Sequence, residues 1–187
     1  MLLDVLLLLL MVLLITFAAT SGLVRSLVML LIFYVLVLLL GMGIVGLNLA
    51  QSLGDVVISA IGEGPRSPIF YQSLIFAALL VPFFIVAALL SNAALENSAI
   101  RDLRWGDNIL ATVVGVALAL AFAAVIANAW GAAVSTRWQP ATTWATLRGA
   151  YDGSVLRPLL RPVLVVVRRA LFPFALTEYP VFLIPQS

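Results

Sequence analysis

The sequence contains no cysteine and no histidine. Without cysteine the chain cannot form disulfides, bind iron–sulfur clusters through thiolates or use a thiol nucleophile. The absence of histidine removes the commonest transition-metal ligand, the usual axial ligand of haem and the side chain that most often moves protons near neutral pH. We therefore expect no enzyme activity and no catalytic, metal or cofactor-binding residues.

Charge is also scarce. Lysine is absent, so arginine supplies all 10 positive charges, and 8 acidic residues leave a net charge of +2. Such a small and dispersed charge does not indicate nucleic-acid binding. Charged residues make up only 10% of the chain and hydrophobic residues 64%, whereas soluble domains are roughly a quarter charged. This composition predicts an integral membrane protein.

Four long apolar runs dominate the first 130 residues. A helix needs about 20 apolar residues to cross the hydrocarbon region, and an isolated span must be helical to satisfy its backbone hydrogen bonds. The fold class predicted is thus an all-α membrane protein. Residues 1–130 form a domain of four transmembrane helices, and residues 131–187 form a C-terminal tail. The predicted spans are residues 2–20, 24–48, 69–91 and 108–130.

The first run also has the length of a signal peptide. A signal peptide begins with positive charge, but here Asp4 precedes the run and the first basic residue is Arg25. We therefore interpret this run as a retained first helix. The next connection is short enough to make the first two helices a tight antiparallel hairpin.

Small residues recur at every fourth position of the fourth span. Small side chains allow helix backbones to approach closely inside a membrane, where lipid provides no hydrophobic drive for association. The pattern predicts a helix-packing face, although general alanine richness is an alternative explanation. The residues of this face are Ala111, Gly115, Ala119, Ala123 and Ala127.

Pro82 lies near the middle of the third span. Proline removes one backbone hydrogen bond and tends to kink a helix. The kink would serve as a hinge or pore constriction, or simply fit the neighbouring helices. We favour the second interpretation because proline is common in membrane helices.

The tail combines apolar residues with four arginines. We interpret residues 131–153 as a loop and residues 157–172 as an amphipathic helix lying at the membrane surface, whose regular part begins near Pro162 because of the prolines at 158 and 162. Its arginines are predicted to bind lipid headgroups. They are Arg157, Arg161 and Arg168 on one helix face, and Arg169 to one side.

Short motifs resemble those of the colicin V production family of bacterial inner-membrane proteins, over residues 1–130. They are Leu3-Asp4 before the first helix, Gly22-Leu-Val-Arg25 at the first turn, and Asp107 followed by small residues at 111, 115 and 119. Asn108 and Leu118 depart from the pattern, since the family usually has basic residues there, and Ser26 stands in place of an acidic residue. Two of the three small positions are alanine where the family has glycine. The resemblance implies a multi-pass inner-membrane protein concerned with export or envelope upkeep, without a defined reaction.

Two motif residues allow alternative roles. Asp107 and Arg25 would pair across the bundle in an ion path, or Asp107 would be the N-cap of the fourth helix and Arg25 would lie at headgroup level. Asp4 is expected at the membrane interface, as is Asn128 near the end of the fourth span.

The first functional hypothesis is a non-catalytic inner-membrane protein that assists export or envelope integrity. The alternative is an accessory subunit of a respiratory or photosynthetic complex, packed through the fourth helix and contacting lipid or quinone. A small channel or carrier ranks lower, because no ionisable residue lies at mid-membrane. The expected partners are membrane lipids and other membrane-protein subunits or further copies of this chain.

Overall fold

The structure, a computed structural model, describes residues 2–46, 52, 55, 56, 59, 67–95 and 104–171. The sequence also predicts a short interfacial helix at 49–61, and this segment lies almost entirely outside the described residues. The secondary structure within the described ranges is helical. The helices are α1 (Leu2–Ser21), α2 (Leu23–Gly46), α3 (Pro68–Ala94), α4 (Arg104–Ala133), α5 (Ala141–Asp152) and α6 (Leu156–Leu171).

Helices α1 to α4 are each long and apolar enough to cross a membrane. This confirms the predicted all-α fold with four transmembrane helices and a C-terminal helix. The predicted spans agree with the helices to within a few residues, the largest difference being at the start of α4. That helix begins at Arg104 and ends at Ala133, so it is longer than the apolar run alone indicates.

Helix α4 is the centre of the bundle. Of its apolar stretch 56% is buried, against 22–28% in the other three spans. It packs against α1, α2, α3 and α6. Between Leu118 and Ala129 almost every residue is buried, whichever way it points. This section is rich in alanine, so several helices can approach it together.

The closest packing joins α4 to the antiparallel α1. Leu3, Leu7, Leu14 and Ala18 form the buried face of α1. A Cβ atom added to Gly115 of α4 would lie 2.5 Å from the Cβ of Ala18. The backbones therefore meet at a distance that only glycine allows at position 115.

All five residues of the predicted small-residue face of α4 are buried. Helices of the same chain cover them, with α1 the most extensive neighbour of α4. The face is thus occupied within this chain.

Helices α2, α3 and α4 meet through an aromatic cluster. The ring of Phe33 lies 5.1 Å from that of Phe122 and 6.4 Å from that of Phe84, and Phe84 is 5.2 Å from Phe122. Helix α3 continues through Pro82. Pro82 is exposed and lies opposite the buried stripe that includes Leu80 and Phe84, so it takes no part in the interior.

The prediction of a loop over residues 131–153 was wrong, because α5 occupies Ala141–Asp152. Its composition favours helix only weakly. Indole hydrogen bonds hold it against the end of α4: Trp144 Nε1 donates to the carbonyl of Val134, and Trp130 Nε1 donates to that of Leu147, each at 3.2 Å. Such contacts between segments override local propensity.

Helix α6 confirms the amphipathic C-terminal helix, but not its expected start near Pro162. Nor does it lie as expected for a helix flat on the membrane surface, because it runs alongside α4 from Asp4 to Tyr34, midway along α2. It begins at Leu156, and Pro162 lies inside it. Leu160, Leu164 and Leu171 are buried. The first turn is held by contacts with α1, described below, so the helix forms before the second proline.

The contact between Gly115 and Ala18 leads to a stability prediction. The Gly115→Ala variant should unfold at lower denaturant or temperature, losing about 1–3 kcal/mol, because the added methyl overpacks the α1–α4 contact. Unfolding of the purified protein in detergent, followed by circular dichroism, measures this loss.

Gly43→Ala is the matched control, since a Cβ there has nothing within 4 Å. Both substitutions gain the same helix propensity. Ala18→Gly should restore stability in the Gly115→Ala background. Equal stability of Gly115→Ala and Gly43→Ala, or no recovery by Ala18→Gly, would contradict the close contact.

Candidate functional site

Asp107 lies at the end of the bundle where α1 turns into α2. It is buried, and its Oδ1 accepts a hydrogen bond of 3.2 Å from the backbone N–H of Leu23, the first residue of α2. The prediction that Asp107 caps its own helix was wrong, because α4 already begins at Arg104. Asp107 instead caps a neighbouring helix with the same chemistry, a carboxylate on a free N–H.

Gly22 is the single residue between α1 and α2. Its φ is +86°, a conformation that L side chains rarely adopt, and a Cβ there would lie 2.8 Å from Oδ2 of Asp107. Glycine is therefore required both by the backbone and by the carboxylate beside it.

Arg25 follows at the same end of the bundle. Its Nε and Nη2 donate to the carbonyl of Leu95, at 3.2 and 2.7 Å. Leu95 is the C-cap of α3, where a cation is favourable because the helix carbonyls carry partial negative charge. Among the described residues no ion pair joins Arg25 to Asp107. Arg25 binds a helix end, so neither proposed role, ion path or headgroup, describes its contacts.

Ser26, which departs from the family pattern, stabilises the turn between α1 and α2. Its hydroxyl is buried and donates to the carbonyls of Ala18 and Gly22, at 3.1 and 2.9 Å. An acidic residue at position 26 would have no hydrogen to donate there when ionised.

Asp4 lies at the opposite end of the bundle and is only partly exposed. Its Oδ1 accepts hydrogen bonds from the hydroxyl of Ser154 at 2.6 Å and from the N–H of Leu156 at 3.2 Å. The hydroxyl of Ser154 also accepts from the N–H of Arg157 at 3.3 Å. Asp4 thus caps α6, as Asp107 caps α2. Each aspartate belongs to the first turn of its own helix and holds the start of another.

A cavity of about 30 Å³ lies between α4 and α6, next to the end of α5. Its walls combine two arginines, a tyrosine and an asparagine with small and apolar side chains. The lining residues are Ala124, Ala127, Asn128, Tyr151, Arg157, Leu160, Arg161 and Leu164.

Tyr151 sits at one side of this cavity and is buried. Its ring packs onto Gly131, where an added Cβ would lie 2.4 Å from the ring. Two guanidinium groups make cation–π contacts with this ring: that of Arg157 lies 4.3 Å from the ring centroid, and that of Arg148 lies 5.9 Å from it. Burial raises the pKa of Tyr151 above its ordinary value, against the opposing influence of the two arginines. The phenol therefore stays protonated at physiological pH.

Asp152 is the acidic residue beside these groups. It pairs with Arg148 at 2.7 Å and with Arg157 at 3.5 Å. One carboxylate is thus shared by two arginines, while Arg161 adds a third positive charge next to the cavity. The cavity carries a net positive charge and favours anions.

The predicted arginine stripe of α6 borders the face that packs on α4. Arg157, Arg161 and Arg168 lie within about 40° on the helical wheel, adjacent to the buried leucines. The apolar Leu159 and Val166 point the other way and are each 66% exposed. Arg169 lies to one side and is exposed. Headgroup binding by these four arginines stays a prediction.

Sequence reasoning missed Ser154, Tyr151 and Gly131. Ser154 was detectable, since serine just before an apolar helix is a common N-cap. Nothing in the sequence indicated that Tyr151 would pack onto Gly131. Asn128 was expected at the membrane interface, yet only 5% of its surface is exposed and it lines the cavity.

The comparisons with known proteins identify no family for this chain. No family model, no curated protein and no solved structure matches this chain.

The contact between Gly22 and Asp107 gives a second stability prediction. Gly22→Ala should cost about 1–2 kcal/mol from the left-handed backbone alone, and more from the clash with the carboxylate. Asp107→Ala should cost about 1 kcal/mol as a lost cap. Denaturant unfolding of both single variants and of the double variant measures these losses.

The double variant should lose less than the sum of the two single losses, because removing the carboxylate removes the clash. Gly149→Ala is the control, as its Cβ has nothing within 4 Å. Strict additivity would show that Gly22 and Asp107 do not touch.

Proposed function

We propose that this chain is a non-catalytic protein of the bacterial cytoplasmic membrane that assists export or maintains the envelope, as the resemblance to the colicin V production family implies. The four spanning helices make it a multi-pass membrane protein. The observation that carries the proposal is the contact between Gly22 and Asp107. These residues are 85 positions apart in the sequence and belong to two separate motifs of the resemblance.

The contacts that the motif residues make support an architecture shared with the colicin V production family. A chance match of short motifs does not require its residues to meet. Here Gly22 makes room for Asp107, Asp107 caps α2, and Arg25 binds the end of α3. Asp4 performs the same capping role at the other end of the bundle. The motifs therefore have a structural purpose: they fix the ends of helices.

The distribution of charge supports a role without catalysis or ion transport. The residues within the bounds of α1 to α4 that are charged at neutral pH are Asp4, Arg25, Arg104 and Asp107, each among the first four residues of its helix. Proton and ion paths use ionisable groups at depth. The polar side chains of these spans instead hold helices together.

The alternative role, an accessory subunit that packs through the fourth helix, loses its main support. The small-residue face of α4 is buried against the chain's own helices. A larger complex would have to use the outer faces of α1, α2 or α3.

A deletion strain of the source bacterium tests the proposal. Loss of the gene should increase uptake of a hydrophobic dye and sensitivity to bile salts, or reduce the amount of exported protein. The wild-type gene and Gly43→Ala should reverse the defect, while Gly22→Ala should do so poorly. Immunoblots of cytoplasmic-membrane fractions establish how much of each variant is present.

Unchanged permeability, sensitivity and export in the deletion strain would contradict the proposal. Loss of a respiratory or photosynthetic complex, together with stoichiometric co-purification of its subunits, would favour the accessory role instead.

A further inference from the structure

The cavity between α4 and α6 has polar and apolar walls. Asn128 and two alanines come from α4, while Arg157, Arg161 and two leucines come from α6. Its volume of about 30 Å³ is enough for about two water-sized groups. The cavity is therefore too small for a metabolite, but it can hold two oxygen atoms of a larger group that extends outside it.

The charged residues that line the cavity favour binding of a negatively charged group. The lining includes no acidic residue. Arg161 makes no hydrogen bond or ion pair with any residue in the part of the chain that the structure describes. The carboxylate of Asp152 is shared between Arg148 and Arg157, so it neutralises neither fully. A bound anion would compensate the remaining positive charge.

The side chains match the oxygens of a phosphate. Guanidinium groups present paired N–H donors that fit phosphate oxygens. The amide of Asn128 is buried at the cavity wall, and the protonated Tyr151 lies beside the cavity. Two non-bridging oxygens of a phosphodiester correspond in number to the two water-sized positions.

We propose that this cavity binds the phosphate of an anionic membrane lipid, with its non-bridging oxygens on Arg157 and Arg161. The proposal stands whether or not the chain assists export.

A lipid is favoured as the source of the phosphate by the surroundings of the cavity. Leu160 and Leu164 line it, and the outward face of α6 carries the exposed Leu159 and Val166. Acyl chains could follow this apolar surface. Trp130 lies two residues after Asn128 in α4, and tryptophan is typical of the depth at which headgroups lie.

Bound phosphate would also strengthen the attachment of α6. The arginines belong to α6 and the asparagine to α4, so an anion between them bridges the two helices. Without the anion, Arg157 shares the carboxylate of Asp152 with Arg148, and the exposed Arg161 has no such partner among the described residues. The bound lipid therefore bridges α6 and α4 and stabilises the contact between them.

Native mass spectrometry of the full chain in an uncharged detergent tests the site, with phosphatidylglycerol, phosphatidylcholine and inorganic phosphate as separate probes. The wild-type chain should bind one phosphatidylglycerol saturably and gain thermal stability from it, with little effect of phosphatidylcholine. Arg161→Gln should weaken phosphatidylglycerol binding about tenfold, the loss of one charge-assisted contact.

Arg137→Gln is the control, because it removes an exposed arginine that lies outside α6 and does not line the cavity. It should bind phosphatidylglycerol like the wild type. Circular dichroism without added lipid establishes that both variants are folded.

Equal weakening by Arg161→Gln and Arg137→Gln would overturn the proposal in favour of diffuse attraction. Equal binding of phosphatidylglycerol and phosphatidylcholine would overturn it as well. So would the absence of binding of all three probes, because the cavity would then hold only water. Saturable binding of inorganic phosphate without binding of phosphatidylglycerol would retain the phosphate site and overturn the lipid as its source.

Discussion

The close approach of α1 to α4 is the constraint on which the remaining packing depends. Gly115 lets the two backbones meet at Ala18, and the alanines that follow keep α4 narrow. A narrow central helix leaves room for α2, α3 and α6 around it. In lipid, where the hydrophobic effect does not drive helices together, contact of this kind supplies much of the association energy.

The ends of the helices are fixed by a different kind of contact. Asp107 and Asp4 each satisfy backbone N–H groups of a neighbouring helix, and Arg25 satisfies a carbonyl at the end of α3. Free N–H and C=O groups at helix ends are costly where water is scarce. Using a side chain of one helix to cap another solves this problem and fixes the register between them.

The sequence was sufficient for the features that depend on local composition. Apolar runs of the right length predicted the four spans, and small residues at every fourth position predicted the face that is buried on α4. The residues of the resemblance were identified, but their roles were not, because a cap supplied by another helix depends on which helices are neighbours. The position of Asp107 predicted a cap of the fourth helix, whereas the carboxylate caps α2.

The C-terminal half of the chain was harder to predict for a physical reason. Helix α5 is stabilised by indole hydrogen bonds to the end of α4, and the cavity forms only when α4, α5 and α6 meet. Periodicity identified the arginine stripe of α6. It could not show that this stripe borders the surface packed on α4, since that depends on how the helix is rotated against its neighbour.

Helix α4 holds α6 alongside the bundle. Helix α6 begins beside Asp4, in the first turn of α1, and near its end the carbonyl of Ala170 accepts a hydrogen bond from the hydroxyl of Tyr34, midway along α2. It should therefore run from one end of the spans towards their middle.

The most direct test is the depth of spin labels along the outer face of α6 in a lipid bilayer. Because the chain has no cysteine, single cysteines at Leu159, Val166 and Ala170 can each be labelled uniquely, and power saturation with oxygen and a nickel complex measures their depth. The first and last positions are 11 residues apart, about 16 Å of helix. The depth of the labels in the bilayer should increase steadily from Leu159 to Ala170, by most of that length. Equal depths at the three positions would place α6 flat on the membrane and contradict this arrangement.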